Sequence, residues 1–222
     1  MKIVFENKFF VVVDKPSGVL SVPSRFPDKD KRLVLGEELQ KQLGIKIFPC
    51  HRLDEEVSGL IMYAKDPEAH KAANRWFENK LVQKTYWAKT SRVRVPYADA
   101  SADRSSQFLE LSENQFFDWK CKVLRGKRRA YESSAGKLSH TLAKIIKIEK
   151  DFIEWELQPV TGRSHQLRFD LARYGFPILG DQLYGSEEVW DRDSIALKSI
   201  MLEFLPESHF EKWELPDKIR LN

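Results

Sequence analysis

The chain has 222 residues, a formal net charge of +4, and is 42% hydrophobic and 12% aromatic. No apolar run nears the ~20 residues that cross a bilayer, and the opening segment lacks a basic stretch followed by an apolar one, so neither a membrane span nor a secretory signal is expected. Two cysteines, Cys50 and Cys121, make neither a disulfide framework nor a metal-ligand pair, which points to a reduced, cytoplasmic protein without metal.

Phe9–Val13 reads as a strand, stopped by a turn at Asp14-Lys15-Pro16-Ser17-Gly18. Leu35, Leu39 and Leu43 recur at helical spacing and Gly44 follows, so a short helix with a glycine stop is expected. Ile45–Phe48 reads as a strand entering a loop at Pro49, and Leu60–Ala64 as a buried strand. Asp66 is a candidate N-cap and Pro67 suits the first helical position. Ala69, Ala73, Trp76 and Phe77 would line one face of that helix. Lys84–Ala88 reads as a strand with Lys84 and Tyr86 on one side.

From Ser91 to Gly136 the pattern is weak, and long loops or a small inserted subdomain are expected. Leu142–Ile148 and Phe152–Leu157, on either side of Glu149-Lys150-Asp151, read as a β-hairpin. Ser164–Tyr174 has helical spacing, with Leu167 and Leu171 apolar, Ser164 a candidate N-cap and Gly175 the stop. Strands and helices mix without regular βαβ alternation. That predicts an α+β fold, and a single domain over residues 1–222 fits the length.

Two constellations carry chemistry. His51-Arg52-Leu53-Asp54-Glu55-Glu56-Val57-Ser58-Gly59 is a polar loop between two strands. Its Asp54 can serve as a nucleophile or base and Arg52 can meet a phosphate; equally, Asp54 can bond the backbone of an ordinary polar turn. In Thr161-Gly162-Arg163-Ser164-His165-Gln166-Leu167-Arg168, His165 and Arg168 are spaced to share a helix face. Arg168 can hold a buried carboxylate ionised; it can also be a surface arginine at a solvated helix start.

Between Lys120 and Arg129 six of ten residues are basic. Lys127, Arg128 and Arg129 could contact phosphates with release of counterions, or form a solvated loop.

Together these blocks resemble the RluA-type RNA pseudouridine synthases. HRLDEEVSGL (His51–Leu60) is similar to the family signature that carries its catalytic aspartate. VVVDKPSGVLSVPSR upstream, Lys84-Thr85-Tyr86, and TGRSHQLR followed by GFPILGDQLYG resemble its other motifs, in the same order and over most of the chain. The closing Trp213-Glu214-Leu215-Pro216 is also similar to a common family ending. Asp118-Trp119 and RRAYESSAGKLSHT resemble the short RluA subgroup, which lacks an S4 RNA-binding domain.

The resemblance implies the family's catalytic fold: a mixed, mostly antiparallel bent sheet flanked by helices and loops around a central cleft. It implies an isomerase that converts uridine to pseudouridine in structured RNA, tRNA anticodon stem-loops or 23S rRNA stem-loops or both. No cofactor, obligate protein partner or membrane is implied, and a monomer is the simplest expectation. Asp54 would attack the flipped uridine or its ribose C1′, and Arg168 would form an ion pair with it. Tyr86 would stack on the uracil and assist proton transfer. Arg52 would fill the gap left by the nucleotide and contact its phosphate, and His51 would support the loop on the RNA side. Two positions depart from the family pattern: Val57 stands where threonine is usual, and Leu197-Lys198-Ser199 where Leu-His-Ala is common. Both bear on fine geometry and substrate preference.

Overall fold

A computed structural model describes residues 2–24, 27–92, 110–191 and 194–221. In chain order its elements are β1 (Lys2–Glu6), β2 (Phe10–Lys15), α1 (Leu35–Leu43), β3 (Phe48–Pro49), β4 (Ser58–Ala64), α2 (Pro67–Glu78), β5 (Val82–Ser91), β6 (Phe116–Arg125), β7 (Ala130–Glu132), β8 (Lys137–Ile148), β9 (Phe152–Pro159), α3 (Gln166–Arg173), β10 (Leu197–Phe204) and β11 (Lys218–Arg220). The content is α+β, as the mixed pattern predicts. The chain divides into two compact units, Met1–Lys84 with Lys198–Asn222, and Thr85–Leu197.

In the first unit β2 lies between β1 and β4, antiparallel to both. Phe10, Val11, Val12 and Val13 are all fully buried, so the run is apolar on both faces rather than alternating. β4 pairs in parallel with β10 through Ser58–Lys198 and Gly59–Ser199. That contact is close: Gly59 has φ +106, and a Cβ on it would sit 2.2 Å from the Ser199 carbonyl oxygen. α2 starts as expected, with Asp66 accepting from the N–H groups of Glu68 and Ala69. Ala69, Ala73 and Trp76 enter the core beside Phe10, Phe204 and Leu202. α1 ends on Gly44 at φ 67, whose N–H reaches the Gln40 carbonyl. The strand expected over Ile45–Phe48 shrinks to the two residues of β3.

The second unit is built on β5-β9-β8-β6-β7, each pair antiparallel. The β8–β9 hairpin matches expectation. Residues 93–109 of the weakly patterned stretch lie outside the described residues, but much of its remainder is regular strand. Trp119 faces Thr141, Phe117 faces Ala143 and Ala88 faces Trp155, so small residues make room for buried tryptophans. Trp119, Trp155, Phe117, Tyr174 and Phe176 form one aromatic cluster with centroids 4.8–5.8 Å apart.

α3 begins at Gln166, two residues later than expected, and Ser164 is not its cap. The residue before the helix is His165, left-handed at φ 56, with no side-chain cap. The Gln166 side chain organises this entry: its Oε1 accepts from the Arg163 N–H at 3.0 Å and from Thr161 Oγ1 at 2.7 Å. Its Nε2 donates to the His140 carbonyl and to Thr141 Oγ1.

Candidate active site

The first unit holds the His51–Val57 loop, between β3 and β4. Its backbone is tied down at three points. Ser21 Oγ donates to the Leu53 carbonyl at 2.9 Å and accepts the Leu53 N–H at 3.1 Å. Ser21 is itself held by Tyr63, whose hydroxyl donates to the Ser21 carbonyl at 2.8 Å. The Glu55 carbonyl accepts from the Gly18 N–H at 2.9 Å and from Lys15 Nζ at 3.0 Å. The Val57 N–H closes the turn onto the Asp54 carbonyl at 3.2 Å. A catalytic group on a loop needs this kind of fixation. Val57 is buried, and what it gives the turn is its backbone N–H, so the missing threonine hydroxyl does not remove this closure.

Lys15 and Ser21 went unassigned in the sequence reading, though both stand in the VVVDKPSGVLSVPSR segment. Lys15 is fully buried at the end of β2. Its ammonium donates to the carbonyls of Pro16, Val19 and Glu55 at 2.8–3.0 Å. Burial pushes its pKa down to about 8, against the pull of the Glu55, Glu56 and Asp54 carboxylates. At neutral pH it remains charged and staples the turn at 16–19 to the loop. The visible signal was a lysine closing an apolar strand, directly before proline.

Asp54 is partly buried and Arg52 exposed. His51 is turned into the protein. Its Nε2 accepts the Met62 N–H at 3.2 Å, and its ring packs on Phe77 at 4.8 Å. Burial, helped by the Lys84 charge, pushes its pKa down to about 3. A neutral ring bonded to β4 supports the loop and offers a phosphate no positive charge. Cys50 is buried, and burial drives its thiol pKa up, which argues against a thiolate nucleophile. Lys198 Nζ lies 3.4 Å from Asp14 Oδ2 at the start of β10.

The second unit holds Tyr86, Arg168 and the basic stretch. Tyr86 is buried on β5, opposite Leu157. Arg168 is 2% exposed, which rules out the surface-arginine reading. Its Nε and Nη2 donate to Asp181 Oδ2 and Oδ1 at 2.7 and 2.8 Å, a bidentate pair with both partners buried. Asp181 belongs to the GDQLYG segment. Tyr184, in the 3-10 turn Gln182–Tyr184 of the same segment, places its ring 5.4 Å from the Arg168 guanidinium carbon. On α3 a second buried pair, Asp170 and Arg173 at 3.3 Å, is completed by Thr141 donating to Asp170 at 2.7 Å.

The basic stretch is half strand. Lys120–Arg125 belongs to β6, and Gly126–Arg129 is the tip of the β6–β7 hairpin, closed by the Gly126 N–H on the Arg129 carbonyl at 3.0 Å. Lys127, Arg128 and Arg129 are exposed on that tip. Among the described residues no group of three or more His, Cys, Asp or Glu could hold a metal ion, and no helix is long and apolar enough to cross a membrane.

Residues 9–173 match the family profile of RNA pseudouridylate synthase. The chain is 32% identical over 216 residues to the dual-specificity RNA pseudouridine synthase RluA of Vibrio vulnificus, covering 94% of this chain and 80% of that protein. It is 29% identical over 192 residues to the mitochondrial tRNA pseudouridine(32) synthase of Saccharomyces cerevisiae, covering 86% of this chain and 38% of that one. Among solved structures, human RNA pseudouridylate synthase domain containing 4 superposes with a TM-score of 0.68 at 21% identity, over 99% of this chain and 87% of that one. Human RNA pseudouridylate synthase domain containing 1 gives 0.66 at 23% identity, over 91% and 77%.

Proposed function

The chain belongs to the RNA pseudouridylate synthase family, RluA type, and is an isomerase acting on RNA; from that premise we propose that Asp54 is its nucleophile, with uridines of tRNA anticodon stem-loops, 23S rRNA stem-loops or both as substrates. The observation that carries the assignment is the fixation of the Asp54 loop by Ser21, Lys15 and Gly18. A carboxylate on so constrained a backbone is preorganised for attack. The name of the yeast relative supports a tRNA substrate, and the dual specificity in the name of the Vibrio relative supports more than one kind of RNA target.

In this reading the target nucleotide leaves its stack, because the reacting atoms are otherwise out of reach. Asp54 drives cleavage of the bond between uracil N1 and ribose C1′. The uracil turns and rejoins through C5, which loses its proton while N1 gains one. Tyr86 stacks on the base and assists that proton transfer. Arg52, exposed beside the loop, fills the vacated space and contacts phosphate. Arg168 acts as the counterion of Asp54, keeping it ionised. Lys127, Arg128 and Arg129 hold the RNA backbone. The protein works as a cytoplasmic monomer.

The test is pseudouridine mapping in tRNA and rRNA from cells with and without the protein, alongside Asp54→Ala and Asp54→Asn. The expected result is loss of modification at specific uridines, and loss of activity in both variants with RNA binding retained. Full activity in Asp54→Asn would remove Asp54 from the role.

A further inference from the structure

We propose that Tyr184 is a positioning residue that ties the basic β6–β7 hairpin tip to the segment bearing Arg168, so that RNA held at the tip engages a catalytic arginine already in register. The proposal rests on the reading that Lys127, Arg128 and Arg129 contact RNA.

The Tyr184 side chain is used at both ends. Its hydroxyl oxygen accepts the N–H of Ala130, the residue that follows Arg129, at 2.7 Å. The same hydroxyl lies 3.2 Å from His165 Nδ1. Arg125 Nη1 lies 3.4 Å from the same nitrogen and also donates to the Arg128 carbonyl at 2.6 Å. Both contacts converge on the same ring nitrogen. The contact orients His165, whose left-handed backbone sets the start of α3 three residues before Arg168.

The ring of Tyr184 lies against the Arg168 guanidinium, and Asp181, three residues earlier, clamps the same guanidinium. One short turn therefore touches the arginine by its carboxylate and its ring, and the hairpin tip by its hydroxyl. Tyr184 is 1% exposed, so its contacts are with protein and it meets no RNA itself. A hydroxyl needed only for packing would have no reason to affect the tip.

Tyr184→Phe keeps the ring beside Arg168 and deletes the hydroxyl. RNA affinity and pseudouridine formation are measured for wild type, Tyr184→Phe, the tip variant with Lys127, Arg128 and Arg129 all changed to Ala, and the combined variant. Losing one buried hydrogen bond predicts a roughly three- to tenfold weaker RNA Kd for Tyr184→Phe, with pseudouridine formation reduced at subsaturating RNA. That loss should vanish in the tip-variant background. An unchanged Kd, an equal loss in both backgrounds, or a tip variant with wild-type affinity overturns the proposal. Should Tyr184→Phe not fold, His165→Asn, which keeps a residue tolerant of the left-handed backbone, is put through the same cycle with the same expectations. Pseudouridine formation by wild type, and its absence in Asp54→Ala, is read separately, so failure of the enzymatic assignment is distinguishable from failure of this coupling.

Discussion

Arg168 and Asp181 form a two-pronged ion pair, Nε to Oδ2 and Nη2 to Oδ1, with each side chain no more than 2% exposed. Breaking one partner of a buried pair leaves a charge without compensation, at a cost of about 3–5 kcal/mol. Asp181→Asn is therefore expected to lose stability on that scale in urea unfolding and to lose pseudouridine synthase activity with it. A loss below about 1 kcal/mol, the range of exposed pairs, would show that this pair does not hold the arginine.

Lys15→Met should weaken the Asp54 loop from beneath. The change removes three charge-assisted hydrogen bonds to the carbonyls of Pro16, Val19 and Glu55, but also removes the cost of burying an ammonium. The expected net loss is about 2–4 kcal/mol at pH 7, with reduced activity because Glu55 adjoins Asp54. Wild-type kcat in the variant would contradict the staple.

His51 makes stability sensitive to acid. Its folded pKa, about 3, lies below the ordinary 6.5. The unfolded chain therefore binds a proton that the folded chain refuses between those values, and stability falls as pH drops. The contribution is complete above pH 6.5 and is progressively lost toward pH 3. Between pH 7 and pH 5 the His51 share should be on the order of 1–2 kcal/mol. It is read by comparing urea unfolding of wild type and His51→Gln at both pH values. An unchanged difference between the two proteins would refute it.

Gly59→Ala tests the contact of β4 with β10. The added Cβ would meet the Ser199 carbonyl oxygen at 2.2 Å from a residue at φ +106. Backbone strain and overpacking together predict a loss of about 3 kcal/mol. Thermal unfolding checks it, and an unshifted midpoint would mean that the strands part at no cost.

Much of the fold was legible because its signals are local. Asp66-Pro67, Gly44 and the valines of β2 act on the backbone beside them, so their elements appear where expected. Ser164 misled because the residue before the helix is the left-handed His165, and the entry is organised by the side chain of Gln166, which gathers Thr161, Arg163, His140 and Thr141 from neighbouring segments. Alternation in β8 was also visible, but not which face would be covered. Thr141, Ala143 and Ile145 are buried while Leu142 and Ile146 remain partly exposed. The choice follows from Trp119 and Phe117 of β6 and Trp155 of β9, which stand opposite Thr141, Ala143 and Ile145.

The order of the motifs alone identified the family and the class of reaction, because those motifs are carried by the covalent chain. It could also nominate Asp54, Tyr86 and Arg168. Tertiary structure alone decided that Lys15 underlies the Asp54 loop, that His51 is a neutral prop, and that Asp181 and Tyr184 hold Arg168. Each of these depends on burial and on hydrogen-bond partners distant in sequence: Lys15 and Glu55 are 40 residues apart, and Tyr184 and Ala130 are 54. A side chain's charge and direction are set by what surrounds it, and only the folded chain brings those surroundings together.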